Sequence, residues 1–203
     1  MSTVSVTTWS LRQTSPADLR PAAEPGAGVR IVRSRVASPE FSRFLYTAVG
    51  GDVAWTDRLG LGYEEWRALV DAPGVETWVA YEDGTPAGYA ELAAREGGAV
   101  EIVYFGLLPA FRGRRIGGHL LAYATARAWD LGERWPEVGA TELVWLHTCS
   151  KDGPHALGNY LRRGFTVFDE RVEPEPAADL PGPWPGAHAT HVRANVTETT
   201  SSH

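Results

Sequence analysis

At 203 residues, with 43% hydrophobic content and eight tryptophans, the chain has the length and the apolar supply for one globular domain with a full core. A formal net charge of −6 argues against general affinity for nucleic acid, and a single cysteine, Cys149, excludes an intrachain disulfide and any Cys-rich zinc site. No apolar leader opens the sequence and no apolar run reaches the roughly 18 residues of a membrane span, so a cytoplasmic protein without a membrane partner, monomeric or homodimeric, is expected. Lys151 is the only lysine beside eighteen arginines, so the basic groups favour planar, bidentate pairing.

Residues 1 to about 27 read as a polar extension ending in the linker-like PAAEPGAG, with Trp9 and Leu11 able to pin part of it to the domain. Val29 to Arg35 alternates apolar and basic residues over a strand length, as an edge strand does. Ser38-Pro39-Glu40 combines an N-cap serine, proline at the first helical position and an acid in the first turn. Phe41, Phe44, Leu45 and Ala48 continue that helix, and Gly50-Gly51 stops it. A loop over 51–62 carries Trp55, Asp57 and Arg58, and a second short helix covers 63–70. Three strands follow, at 76–81, 87–95 and 100–107, joined by turns at Asp83-Gly84 and Gly97-Gly98. A long helix from Ile116 repeats apolar residues at Leu120, Leu121, Ala124 and Ala128, with Gly132 expected as its C-cap. The remaining pattern is a strand at 142–148, a helix at 155–163 capped by Gly164, and a strand at 165–172. Beyond about 175 the composition turns to Pro, Gly, Ala, Thr and Ser, so 28–175 reads as the domain and 176–203 as a mobile tail. The sequon Asn195-Val196-Thr197 falls in that tail and has no meaning without secretion.

The stretch from Glu101 to Gly132 organises the chain. Strand, Gly/Arg turn and helix in that order present free N–H groups and the positive end of a helix dipole to an anion. Gly113, Gly117 and Gly118 let a ligand approach the backbone, and Arg112, Arg114 and Arg115 add charge for phosphate. This reads as a pyrophosphate cradle, although a surface turn with solvated arginines has the same composition. Neither the P-loop Gly-x-x-x-x-Gly-Lys-Ser/Thr nor the Rossmann Gly-x-Gly-x-x-Gly is present.

Arg112-Gly113-Arg114-Arg115-Ile116-Gly117 resembles the acetyl-CoA motif of the GNAT N-acetyltransferase superfamily, Arg/Gln-x-x-Gly/Ala-x-Gly/Ala, with Arg115 where glycine is usual. Downstream, Ala156-x-x-x-Tyr160-x-x-x-Gly164-Phe165 resembles the second signature of that superfamily, with Gly153 where asparagine is frequent. The matching elements span about 29–172. The resemblance implies a mixed α/β fold, with a central, mostly antiparallel twisted sheet of six or seven strands flanked by about four helices. It implies transfer of an acetyl group from acetyl-CoA to a primary amine of a small molecule or peptide, by direct attack in a ternary complex and without a metal. A protein lysine or N-terminus is the alternative acceptor, and an acyl-CoA-binding sensor module is the alternative of a different class.

That chemistry needs a proton acceptor for an alkylammonium, a donor for the tetrahedral oxyanion, and an acid for the departing thiolate. Glu101 matches the catalytic glutamate of the histone acetyltransferase branch, in a strand EIVYFGL that resembles the one there. A paired carboxylate at a strand edge is the plain structural reading of the same residue; Glu91 is the reserve and Glu76 a weaker candidate. Tyr160 matches the tyrosine that protonates the thiolate. By the same resemblance the Leu107 N–H polarises the thioester carbonyl, and Leu108 and Pro109 flank the pantetheine arm. Arg112 to Gly118 bind pyrophosphate mostly through N–H groups, and Asn159 meets the pantetheine amides. Trp55, Asp57 and Glu91 are candidates for acceptor binding, with the acids Asp52, Asp57, Glu64 and Glu65 favouring a cationic acceptor. Cys149 follows a strand near the thioester, where an acyl-cysteine route would have only His147 as a neighbouring base, so it reads as passive; His119 and His147 are too scattered for a metal site.

Overall fold

The computed structural model describes residues 3–53 and 55–176. Strands and helices occur in chain order as β1 (Thr3–Gln13), β2 (Val29–Ser34), α1 (Pro39–Gly50), α2 (Tyr63–Val70), β3 (Val75–Glu82), β4 (Thr85–Arg95), β5 (Ala99–Leu107), α3 (Ile116–Trp129), α4 (Leu131–Arg134), β6 (Leu143–Cys149), α5 (Ala156–Arg162) and β7 (Thr166–Pro176). The strands form one seven-stranded sheet in the order β2-β3-β4-β5-β6-β1-β7. Every pair is antiparallel except β5 with β6. This is the mixed α/β architecture that the sequence led us to expect.

One expectation is corrected. The first residues are not a polar arm: β1 lies inside the sheet between β6 and β7, and Leu11 is fully buried in the main core. Burying that leucine stabilises the fold by about 1.5–3 kcal/mol. Gln13, also buried, donates to the Arg163 carbonyl at 2.8 Å and accepts from Trp129 Nε1 at 3.0 Å, so both ends of its amide are paired. The expected mobile tail and its sequon lie outside the described residues.

Local chemistry explains the helices. Ser38 Oγ accepts the Phe41 N–H at 3.2 Å and Pro39 opens α1, as its signals required. Helix α3 starts differently: Arg115, just before it, sits at φ 66°, the left-handed conformation that glycine adopts cheaply. It ends at Trp129 rather than at Gly132. Gly132 instead lies within α4, where a Cβ would stand 2.2 Å from the Gly139 carbonyl oxygen. Close backbone approach, not capping, fixes glycine there.

Helix α3 covers one face of the sheet, packing Leu121, Ala124 and Ala128 on Leu92, Val100, Ile102, Val144 and Leu146. Helix α1 covers the other, with Leu45 and Val49 against Val79 and Tyr89. Trp66 of α2 joins α1 through a 3.0 Å bond from its Nε1 to Ser42 Oγ. At the edge of the sheet, the buried Glu76 carboxylate accepts from Trp78, Trp135 and Arg134 and pairs with Arg33 at 2.9 Å. With every lone pair engaged, Glu76 is a structural hub and has no capacity left for proton transfer.

Two features of the sheet position the site. In β5, Tyr104 stands opposite Glu91 and Ile102 opposite Leu92, which leaves Val103 as an extra residue. This bulge reverses the alternation, so Glu101 and Tyr104 share the α1 face while Val100, Ile102 and Phe105 face α3. Second, β5 and β6 pair only through Ala99–Leu143, Val100–Val144 and Glu101–Trp145. Beyond that point the two parallel strands separate.

Candidate active site

The separation of β5 and β6 opens a cleft of about 810 Å³. One wall is β5 from Ile102 to Leu107; the other is His147 and Cys149 of β6, with Asn159 and Tyr160 of α5. The start of α3 closes one end, and the loop bearing Trp55 and Asp57 reaches the same cavity. Leu108 donates its N–H to the Ala87 carbonyl at 2.9 Å. Facing residues of an antiparallel pair alternate between exchanging and not exchanging such bonds, so the Leu107 amide points the other way, into the space β6 has left. A free N–H donor therefore faces the cleft.

At the α3 end, no backbone carbonyl among the described residues takes the N–H groups of Gly113, Arg114 or Arg115, and the first turn of α3 leaves its own donors free. Gly113 sits at φ 76° and needs glycine for that reason. Gly117 and Gly118 do not: a Cβ at Gly117 would meet only the Leu107 side chain at 3.4 Å, and one at Gly118 nothing nearer than 3.7 Å. The protein has room for alanine at both, so the space they leave serves whatever lies in the cleft.

The arginines divide. Arg112 forks onto Asp52 at 2.6 and 3.0 Å and also donates to the Leu107 carbonyl, fastening the loop after α1 to the end of β5. Arg114 pairs with Glu82 at 2.7 Å and turns away from the cleft. Arg115 lines the cleft and makes no ion pair among the described residues. An anion at this end meets backbone donors first and the Arg115 guanidinium second.

Tyr160 lines the cleft and packs edge-on against Phe105 and Phe165. Burial, reinforced by Asp152 and Cys149, pushes its phenol well above the ordinary range, so it stays protonated and keeps a proton to give. Burial likewise pushes the Cys149 thiol up, with Asp152 adding to the shift. A thiol held protonated is a poor nucleophile.

The other end is aromatic and acidic. The exposed Asp57 carboxylate accepts from Tyr46 Oη at 2.7 Å on one oxygen and from Tyr104 Oη on the other. The Trp55 ring stands 4.9 Å from Tyr104 and 5.7 Å from Tyr46. Gly50 makes this possible, because a Cβ there would lie 2.3 Å from the Trp55 ring. Burial, and then the bond to Asp57, raises the Tyr104 phenol, so it too remains a donor. No arginine or lysine among the described residues pairs with Asp57. It is an exposed carboxylate held by two phenols, and it lines the cleft.

Of the residues singled out from sequence, the cleft gathers Tyr160, Leu107, Arg112, Gly113, Arg115, Gly117, Gly118, Asn159, Trp55 and Asp57. Pro109, Glu76 and the acids Asp52, Glu64 and Glu65 lie outside its lining, and so do four others. Leu108 packs on the α1-side cluster, and Arg114 is bound to Glu82. Glu91 is buried in a two-pronged pair with Arg58, at 2.7 and 3.0 Å, which leaves it structural. Glu101, 6% exposed, is held by Arg95 at the point where β5 and β6 part. No site role was expected of Tyr46 or Tyr104, nor of Arg58 in the 51–62 loop. Arg58 stacks 4.5 Å over the Tyr104 ring while pairing with Glu91, and so fixes the ring that holds Asp57. Only the bulge at Val103 brings Tyr104 to this face, and no sequence signal announces it.

Among the described residues no group of three or more His, Cys, Asp or Glu side chains is arranged to hold a metal, and no helix is long and apolar enough to cross a membrane. The profile of the acetyltransferase (GNAT) family matches residues 41–165, more than half of the chain. No curated protein matches the sequence. Among solved structures, a GCN5-related N-acetyltransferase from Kribbella flavida is similar at 26% identity and TM-score 0.56, over 87% of this chain and 60% of that one. A GCN5-related N-acetyltransferase from Sphaerobacter thermophilus has TM-score 0.57 at 18% identity, over 87% of this chain and 54% of its own. An aminoglycoside acetyltransferase from an uncultured soil metagenomic sample has TM-score 0.53 at 14% identity, over 75% and 97%. The chain thus spans little more than half the length of the first two.

Proposed function

The chain belongs to the GNAT acetyltransferase family, and from that membership we propose that it moves an acetyl group from acetyl-CoA to the primary amine of a cationic small molecule or peptide, by direct attack in a ternary complex. The observation that carries this reading is a single cleft with two chemically opposite ends. One end offers free N–H groups and Arg115 to a diphosphate; the other offers Asp57 between Trp55 and Tyr104 to a cation.

In this reading the diphosphate lies on the start of α3 and the pantetheine arm follows β5. The thioester carbonyl meets the Leu107 N–H, which stabilises the oxyanion by about 3–4 kcal/mol in the manner of a single oxyanion donor. Tyr160 donates to the sulfur as the C–S bond breaks. The acceptor's cationic group rests on the Asp57 carboxylate, which Tyr46 and Tyr104 hold in place. Glu101, at the point where β5 and β6 part, is the carboxylate that assists removal of the amine's proton. Direct attack is supported by the protonated, half-buried Cys149, which is a poor acyl carrier.

The test is acetyl-CoA-dependent thiol release with a panel of polyamines, aminoglycosides, neutral and acidic amino acids, and N-terminal peptides. Release with acceptors bearing two or more cationic groups, and not with acidic amino acids, is expected. Equal release with acidic and cationic amines contradicts the assignment of Asp57; no release with any of them contradicts the transfer itself.

A further inference from the structure

Glu101 is poorly placed to touch an amine. Its side chain is 8% exposed, and Arg95 holds Oε2 through Nε at 2.7 Å and Nη2 at 2.6 Å. Its other oxygen, Oε1, is turned to His147, whose Nδ1 lies 3.7 Å away. His147 is 53% exposed at its side chain and lines the cleft, which Glu101 does not. Residues 145, 147 and 149 alternate with the core residues Val144, Leu146 and Thr148, so His147 stands on the same face of the sheet as Glu101 and Tyr104. The two strands separate immediately after the Glu101–Trp145 pair, and that puts Glu101 at the closed end of the gap with His147 one step into it.

We propose that His147 is the catalytic residue that takes the proton of the attacking amine, with Glu101 as the positioning carboxylate behind it and Arg95 fixing Glu101. The proposal rests on the transfer reading. The contact of 3.7 Å is beyond a hydrogen bond and within ion-pair range; such contacts shorten when substrate excludes water and the imidazole gains charge. A neutral imidazole donates from one ring nitrogen and accepts at the other, so a ring whose Nδ1 faces Glu101 presents Nε2 to the amine's proton. The charged and titratable groups around it are Glu101 with Arg95 behind, Arg12 on β1 opposite Trp145, Cys149 on its own strand, and Asp169 on β7 opposite Ser10, which itself faces His147. Of these, Glu101 alone pairs with the ring among the described residues.

The step balances without a further reactant. Nε2 of His147 takes a proton from the alkylammonium, and the freed nitrogen lone pair forms the C–N bond to the thioester carbon. The tetrahedral oxyanion, held at the Leu107 N–H, collapses and the C–S bond breaks. His147 passes its first proton to solvent and then relays the second proton of the nitrogen by the same route, the thiolate takes the Tyr160 proton, and Tyr160 recovers one from solvent. Acetyl-CoA and the ammonium become the amide, CoA thiol and one released proton.

The experiment is steady-state kinetics of the full chain with the best amine of the panel, from pH 6 to 9, for wild type, His147→Ala and Glu101→Gln. His147→Ala lowers kcat about 100-fold, leaves the KM for acetyl-CoA within about twofold, loses the acidic limb of the profile, and recovers rate when imidazole is added. Glu101→Gln lowers kcat by about tenfold and keeps the limb, because the imidazole is still present. His147→Ala at wild-type rate overturns the proposal. So does a deeper loss in Glu101→Gln than in His147→Ala, which makes Glu101 the direct acceptor of the proton. A wild type that releases no thiol with any amine overturns the transfer reading, and this one with it.

Discussion

Glycine at 117 and 118 separates what the fold needs from what the ligand needs. A Cβ at either position meets only side-chain atoms at 3.4 Å or more, and alanine is the better helix former by up to about 1 kcal/mol. Gly117→Ala and Gly118→Ala are therefore expected to unfold at urea concentrations no lower than wild type, while losing at least about tenfold in acetyl-CoA affinity by calorimetry. Unchanged affinity would mean that no diphosphate lies on this turn. Arg115 is the opposite case. Its backbone takes the left-handed conformation at a cost of about 1–2 kcal/mol, in a place where a glycine would not be strained, and its side chain faces the cleft. That combination is understandable if the guanidinium serves the anion.

The elements most easily read from sequence were those with one period and chemical punctuation. Helix α1, with Ser38, Pro39 and the glycine pair, fell within a residue of its expected start, and strands β3 to β5 appeared between their turns. Strand β1 did not, and the cause is physical. Its first half pairs with β7 alone and buries Val6; its second half pairs with both neighbours and buries Leu11, on the opposite parity. Apolar residues that change parity within one strand give no alternation, and the many Ser and Thr residues read as polar. The bulge at Val103 hid the acceptor end in the same way. Strict alternation from Glu101 puts Val103 and Phe105 beside it and Tyr104 on the far side; the extra residue exchanges them. The donor end was legible because it is built from backbone, glycine and consecutive residues. The aromatic and acidic end draws Tyr46 from α1, Asp57 and Arg58 from one loop and Tyr104 from β5, and nothing local ties the three segments together.

At the scale of the molecule, buried phenols set the alkaline limit. Tyr46, Tyr89 and Tyr160 are each almost wholly buried, and burial is the leading cause that raises all three. A phenol raised in the folded state contributes its stability in full below the unfolded value near 10, and loses it as the pH rises from there towards the folded value. Each such phenol adds up to about 1.4 kcal/mol of destabilisation per pH unit above that value. The urea midpoint is expected to hold steady from pH 7 to 9 and to fall steeply between pH 10 and 11. A midpoint flat through pH 11 would mean that these rings are solvated.

The whole account depends on donor and acceptor occupying one cleft together, with Cys149 as a bystander. Initial rates of amide formation, measured while both acetyl-CoA and the amine are varied, test this most directly. Double-reciprocal lines that intersect, with no acetyl adduct on Cys149, are the predicted result, because both substrates must be bound before the C–N bond forms. Parallel lines, with Cys149 carrying acetyl before the amine is added, would contradict it.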